Sequence, residues 1–154
     1  MIKRKIDRYL ADFFDTDKKA LMLTGARQIG KTYSIRRFGH EHFERFVEIN
    51  FIENPGLVKV FSKAKNCQDI LLRLSTVTSQ DLIKGNTLVF FDEVQECPEI
   101  VTAIKFLVEE GSYRYILSGS LLGVEIKNLR SAPVGYLPCA AAVSSTSWSV
   151  LVSP

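Results

Sequence analysis

A run of eight residues, from Gly25 to Thr32, carries the side chains whose types and spacing point most directly to chemistry. It reads Gly-Ala-Arg-Gln-Ile-Gly-Lys-Thr and fits G-x-x-x-x-G-K-[ST], a pattern whose backbone N–H groups cradle phosphates. Its two glycines let the backbone turn tightly and approach an anion without a Cβ atom. Lys31 would reach the β- and γ-phosphates, and Thr32 would offer its hydroxyl to Mg²⁺. The run therefore predicts a nucleotide-binding P-loop.

The segments on either side of this loop suit a P-loop. The apolar run 20–23 precedes it, and a segment that can be helical up to Gly39 follows it, so the loop joins a strand to a helix. Arg27 and Gln28 would either flank the phosphates or face solvent. The expected nucleotide-binding positions are Gly25, Ala26, Arg27, Gln28, Ile29, Gly30, Lys31, Thr32 and Tyr33.

Two adjacent carboxylates follow the apolar run 88–91, which is typical of a strand covered on both faces. Asp92 would hold Mg²⁺, directly or through water. Glu93 would orient and deprotonate an attacking water. Apolar runs that end in an acid are common, but this one follows a complete P-loop. The adjacent acids favour hydrolysis by water over phosphate transfer to another substrate.

A third polar position, Ser118, follows the predicted strand 113–117. Its hydroxyl would contact the γ-phosphate or the attacking water. The alternative is a turn residue that caps the next helix.

The elements that must position these side chains alternate between strands and helices, which implies a parallel sheet with helices on both faces. In such sheets ligands bind at the carboxyl ends of the strands, where Gly25, Asp92 and Ser118 would meet. Strands are predicted at 20–23, 45–51, 87–91 and 113–117. Helices are predicted at 2–14, from the loop to Gly39, from Pro55 to Phe61, from an Asn66 cap onward, and from Pro98 to Glu110 with Gly111 as its stop.

The bulk properties exclude several classes of protein. A chain of 154 residues is one domain of ordinary size. No apolar run is long enough for a membrane span, and no signal-peptide core follows the basic N-terminus, so we expect a cytoplasmic protein without a membrane partner. Cys67, Cys97 and Cys139 have no spacing typical of a disulfide framework or a zinc site.

The net charge of +3 is unevenly distributed. Residues 1–40 carry ten Lys/Arg against four Asp/Glu, whereas residues 41–110 carry seven against twelve. The basic end would suit nucleic acid or another partner. The simpler interpretation, which we favour, is a solvated helix face beside an anion-binding loop.

Three segments together resemble a known family, the prokaryotic AAA-type P-loop ATPases of the group that carries a C-terminal domain of unknown function, DUF4143. They read Gly-Ala-Arg-Gln-Ile-Gly-Lys-Thr, Phe-Phe-Asp-Glu-Val-Gln-Glu-Cys-Pro and Ile-Leu-Ser-Gly-Ser, in this order. The resemblance covers residues 1–137 and is to the AAA_14-like members of this group. It implies a three-layer α/β fold that binds ATP and Mg²⁺ and that self-associates. It also implies that Asp92 binds magnesium, Glu93 is the catalytic base and Ser118 is the sensor-1 residue.

The chain departs from this family at its end, because no charged residue follows Arg130. We therefore divide it into a nucleotide-binding core, 1–137, with its N-terminal helix at 1–17, and an atypical tail, 138–154. We interpret the tail as the result of truncation, of a frame shift or of a fragmentary gene prediction. The alternative is a natural short paralogue with an uncharged tail. The fifth strand and the lid of the family are expected to be missing or replaced, although 147–150 alternates as a strand does.

Several functions remain open at this stage. The leading hypothesis is ATP binding with Mg-dependent hydrolysis. Four residues would carry the chemistry: Lys31, Thr32, Asp92 and Glu93. Hydrolysis would be feeble at most, because the lid over adenine is expected to be absent and only Arg114 and Arg130 are candidates for an arginine finger. The alternatives are a nucleotide-gated binding module, a hydrolytically defective fragment and a nucleic-acid binder. Without a fifth strand, the P-loop strand would be an unprotected sheet edge.

Overall fold

A computed structural model describes residues 5–16, 20–25, 31–120, 139–144 and 147–151 of the chain. The helices are α1 (Lys5–Thr16), α2 (Lys31–His42), α3 (Gly56–Ser62), α4 (Cys67–Val77) and α5 (Pro98–Glu110). The strands are β1 (Leu21–Gly25), β2 (Arg45–Asn50), β3 (Thr87–Asp92), β4 (Arg114–Ser120), β5 (Cys139–Ser144) and β6 (Ser147–Leu151), and a short 3₁₀ turn spans Val94–Glu96. None of the helices in these ranges is long and apolar enough to cross a membrane.

The strands form one sheet in the order β2-β3-β4-β1-β5-β6. The first five strands in this order run parallel, and β6 runs antiparallel to β5. Strand β3 is buried along its whole length, as its apolar run predicted. Its side chains alternate between two cores: Val89 and Phe91 pack with α3, α4 and α5, whereas Leu88 and Phe90 pack with α1 and α2. The predicted three-layer α/β fold is therefore confirmed.

The expectation that β1 would be an unprotected sheet edge is wrong. Strand β1 pairs with β4 on one side and with β5 on the other, from Met22 opposite Cys139 to Gly25 opposite Ala142. The extended backbone of β5 supplies the hydrogen-bonding partners that β1 would otherwise lack, and such pairing requires no particular side chains. The tail thus replaces the expected fifth strand, and the alternating segment near its end forms β6.

Helix α2 continues past Gly39, its predicted end, to His42. A Cβ atom at Gly39 would lie 2.2 Å from the ring of Phe46, which belongs to the neighbouring strand β2. The glycine therefore allows the helix to approach the sheet closely and does not end the helix. Strand β4 also extends beyond its predicted end, through Ser120.

Candidate functional site

The predicted site residues lie at the carboxyl edge of the sheet. Gly25 is the last residue of β1, Asp92 is the last residue of β3, and Lys31 is the first residue of α2. In the strand register, Asp92 stands opposite Ser118 of β4 and opposite Asn50 of β2. The loop positions Ala26, Arg27, Gln28, Ile29 and Gly30 lie outside the described residues.

The Lys31 side chain is buried, with 5% of its surface exposed. Its Nζ donates a hydrogen bond of 2.9 Å to the backbone carbonyl of Gly119, which connects the start of α2 to the end of β4. Burial raises the pKa of Asp92, and the positive charge of Lys31 opposes part of this rise. The ammonium group is therefore held at the carboxyl edge, close to the β3 carboxylate.

The Asp92 carboxylate is buried and accepts hydrogen bonds at both oxygens. The backbone N–H of Glu93 donates to Oδ1 over 2.9 Å, and Nδ2 of Asn50 donates to Oδ2 over 3.2 Å. Burial, followed by the nearby charge of Glu93, raises the pKa of Asp92 to about 6, although Lys31 and the Glu93 N–H oppose this rise. The two donors and the lysine therefore compensate only part of the cost of a charge at Asp92.

Ionisation of Asp92 is expected to make the folded chain less stable as the pH rises. In the unfolded chain the pKa of Asp92 is 3.8. Below this pH the carboxyl is protonated in the folded and in the unfolded chain, and the raised pKa has no effect on stability. Between that value and about 6 the unfolded chain loses the proton first, which favours unfolding. Above this window the destabilisation is constant, at about 3 kcal/mol if no other group compensates.

Urea unfolding of the wild type and of Asp92→Asn, measured from about pH 4 to about pH 7.5, tests this expectation. The free energy of unfolding of the wild type should fall relative to that of the variant across this range. A difference that does not change with pH would contradict a raised pKa at Asp92. The variant also loses one hydrogen-bond acceptor, but that loss shifts the whole curve and leaves its slope unchanged.

Glu93 has a left-handed backbone, with φ at 58°, which is uncommon for a residue other than glycine. The 3₁₀ turn 94–96 follows at once, and Nε2 of Gln95 donates to Oε2 of Glu93 over 2.5 Å. The chain thus changes direction between the two acids, so their carboxylates have different surroundings.

Ser118 lies within β4 and not in a turn. Its side chain is fully buried, and its Oγ has no hydrogen-bond partner in the part of the chain that the structure describes. Because buried hydroxyls nearly always have a partner, this oxygen is suited to a group other than the described residues.

Two residues of the site carry no sequence signal that we recognised, Asn50 and Gln95. The Asn50 Oδ1 accepts hydrogen bonds from the backbone N–H groups of Ile52 and Glu53, each at 2.9 Å. These bonds leave its Nδ2 to face Asp92. Asn50 lies within the predicted strand 45–51 and is the final residue of the observed strand β2, which pairs with β3. Sequence alone does not reveal which strands are neighbours.

The remaining predicted residues differ in their surroundings. Thr32 is partly buried, whereas Tyr33 is 54% exposed. The Arg37 guanidinium lies over the Tyr33 ring, with its carbon 5.8 Å from the ring centre. Arg114 starts β4, at the opposite end of the strand from Ser118, and donates to the carbonyl of Phe14 over 3.3 Å. Arg130 lies outside the residues described.

Comparisons with known proteins give a family for this chain and solved structures that are similar to it. A family model described as an AAA domain matches residues 17–139. No curated protein matches the sequence. The solved structure of PCH-2 from C. elegans is similar with a TM-score of 0.52 and 13% identity, over 91% of this chain and 41% of that chain. The flagellar accessory protein FlaH from Methanocaldococcus jannaschii is similar with a TM-score of 0.49 and 9% identity, over 98% of this chain and 85% of that chain.

Proposed function

Because this chain belongs to the AAA domain family, we propose that it binds ATP with Mg²⁺ at the loop between β1 and α2 and hydrolyses it slowly. Family membership supports nucleotide binding in general. The choice of ATP rests on the P-loop pattern without a guanine-specific N-K-x-D motif. The chain spans about two-fifths of PCH-2, so that likeness supports the fold alone.

The observation that carries this proposal is the position of the buried Lys31 amine. It is the first residue of the helix that follows the P-loop pattern, and helix N-termini favour anions. Its Nζ is bonded to a main-chain carbonyl of β4 and lies near Asp92. When phosphates bind, this cation would exchange the carbonyl for phosphate oxygens, which are stronger acceptors.

Asp92 and Thr32 fit a magnesium ion in their chemistry. Mg²⁺ prefers oxygen ligands and takes most of them from water and phosphates, so one carboxylate and one hydroxyl suffice. Consistently, the described ranges contain no cluster of three or more His, Cys, Asp or Glu that would hold a metal without a nucleotide. The raised pKa of Asp92 also indicates a buried carboxylate that a cation would stabilise. When bound, Mg²⁺ would neutralise charge on the β- and γ-phosphates.

Glu93 and Ser118 would serve the chemical step. Glu93, with its carboxylate held by Gln95, would accept the proton of the attacking water. The Ser118 hydroxyl, which has no hydrogen-bond partner among the described residues, would donate to the γ-phosphate or to that water. These roles together make the proposed reaction a hydrolysis and not a transfer to a second substrate.

The nucleic-acid alternative is less well supported, because two arginines of the basic N-terminal part are paired with acids. Arg36 forms two hydrogen bonds with Glu48, at 2.6 and 2.7 Å, and Arg37 pairs with Asp7. A phosphate backbone would have to displace these acids. Self-association and a cytoplasmic location, both expected from the sequence, are further parts of the proposal.

A thermal-shift experiment on the wild type tests the proposal. We expect Mg·ATP to raise the melting temperature by several degrees, because a ligand that binds only the folded state stabilises it. Mg²⁺ alone should have little effect, and ATP with a chelator should have a smaller effect than Mg·ATP. Equal shifts with ATP and GTP would contradict the preference for adenine over guanine. No shift with any nucleotide would contradict nucleotide binding.

A further inference from the structure

The turn that follows β3 brings the side-chain amide of Gln95 onto the carboxylate of Glu93. The distance from Nε2 of Gln95 to Oε2 of Glu93 is 2.5 Å. The amide nitrogen is the donor in this contact, and the carboxylate oxygen is the acceptor. The Gln95 amide is therefore oriented with its nitrogen towards Glu93.

The backbone places these two side chains together rigidly. Glu93 takes the left-handed conformation, after which the Glu96 N–H donates to the Glu93 carbonyl over 3.1 Å and the Cys97 N–H donates to the Val94 carbonyl over 3.0 Å. Val94 and Cys97 are fully buried in the core beneath the sheet. The turn is thus anchored on both sides of Gln95, which keeps the Gln95 backbone beside Glu93.

This arrangement has features that do not favour folding. Oε1 of Gln95 is buried and has no hydrogen-bond partner within the described ranges. An unpaired buried acceptor lowers stability, and so does a left-handed backbone at a residue with a Cβ atom. Both features lie within two residues of the proposed catalytic base, which indicates a role in function.

We propose that Gln95 is a positioning residue that holds the Glu93 carboxylate in the orientation required to accept a proton from water. This inference rests on the proposed hydrolysis and assigns Gln95 no contact with the nucleotide. Its effect should therefore appear in kcat and not in the affinity for ATP, and it should depend on the presence of the Glu93 carboxylate.

A double-mutant cycle tests the role. Gln95→Met keeps the length of the side chain but removes the amide, and we expect kcat to fall about tenfold with the Mg·ATP-dependent thermal shift unchanged. In a Glu93→Gln background the same change should have no further effect on kcat. A kcat at or above the wild-type value, or an equal fall in both backgrounds, would overturn the inference.

A second measurement does not depend on turnover. In the nucleotide-free protein, the side-chain amide protons of Gln95 should exchange slowly with solvent in NMR spectra, and Glu93→Ala should make this exchange fast. Exchange that stays slow in the variant would overturn the contact, even if the wild type hydrolyses no ATP. Full turnover by Glu93→Gln would show that Glu93 is not the base. That outcome concerns the proposed hydrolysis and is distinct from loss of the contact between Gln95 and Glu93.

Discussion

Lys31→Ala should lose the thermal stabilisation that Mg·ATP gives to the wild type. At a nucleotide concentration of about 100 times Kd, binding stabilises the folded state by about 2.7 kcal/mol. For a chain of this size that corresponds to roughly 5–10 °C in melting temperature. Because the Lys31 amine is the buried cation at the start of α2, its removal should reduce this shift to nearly zero.

The ligand-dependent shift is the appropriate measure, because Lys31 also affects the protein without nucleotide. Its amine bonds the Gly119 carbonyl and lowers the pKa of Asp92, so the variant will have a different melting temperature before any ligand is added. Lys59→Ala, on the exposed surface of α3, is the matched control and should keep the full shift. If Lys31→Ala still gained several degrees with Mg·ATP, the P-loop assignment would be wrong.

Signals that act over a few residues predicted the fold well. The Pro98 start and Gly111 stop of α5 agree with the structure, in which Gly111 has φ at 81° and its N–H donates to the Leu107 carbonyl. The Asn66 cap is likewise confirmed, since its side chain accepts from the Asp69 N–H over 2.9 Å. Each of these signals depends on backbone groups within one helical turn, which is why sequence alone reveals them.

Features that depend on distant residues could not be predicted in this way. Asn50 reaches Asp92 across 42 positions of sequence, and Lys31 reaches Gly119 across 88. The pairing of β5 with β1 involves the tail, whose run of alanines has little intrinsic preference for a strand. Such contacts follow from the order of strands in the sheet, which a pattern of apolar residues does not specify.

The turn at Glu93 was missed for a different reason. A left-handed residue is usually signalled by Gly or Asn, and Glu93 is neither. The pattern of two acids after an apolar run therefore located the carboxylates but not their geometry. The partner of Glu93, Gln95, becomes apparent only once the left-handed residue and the 3₁₀ turn that follows it are known.

Glu93→Gln should reduce the release of inorganic phosphate from ATP by about 10²- to 10³-fold, within the range that a general base contributes. The amide has nearly the shape of the carboxylate but is not basic, so it cannot accept a proton from water. The Mg·ATP-dependent thermal shift should remain, because Lys31, Thr32 and Asp92 are unchanged. Steady-state phosphate release and the thermal shift, measured on the same samples, test both parts.

Glu96→Gln is the matched control for this prediction. It makes the same substitution three residues further on, at an exposed position of the 3₁₀ turn, and should leave phosphate release at the wild-type rate. Unchanged release by Glu93→Gln would remove Glu93 as the base and leave nucleotide binding intact. Loss of both release and thermal shift would instead indicate that the left-handed turn at Glu93 supports the binding loop, since the substitution would then have altered the site beyond the carboxylate itself.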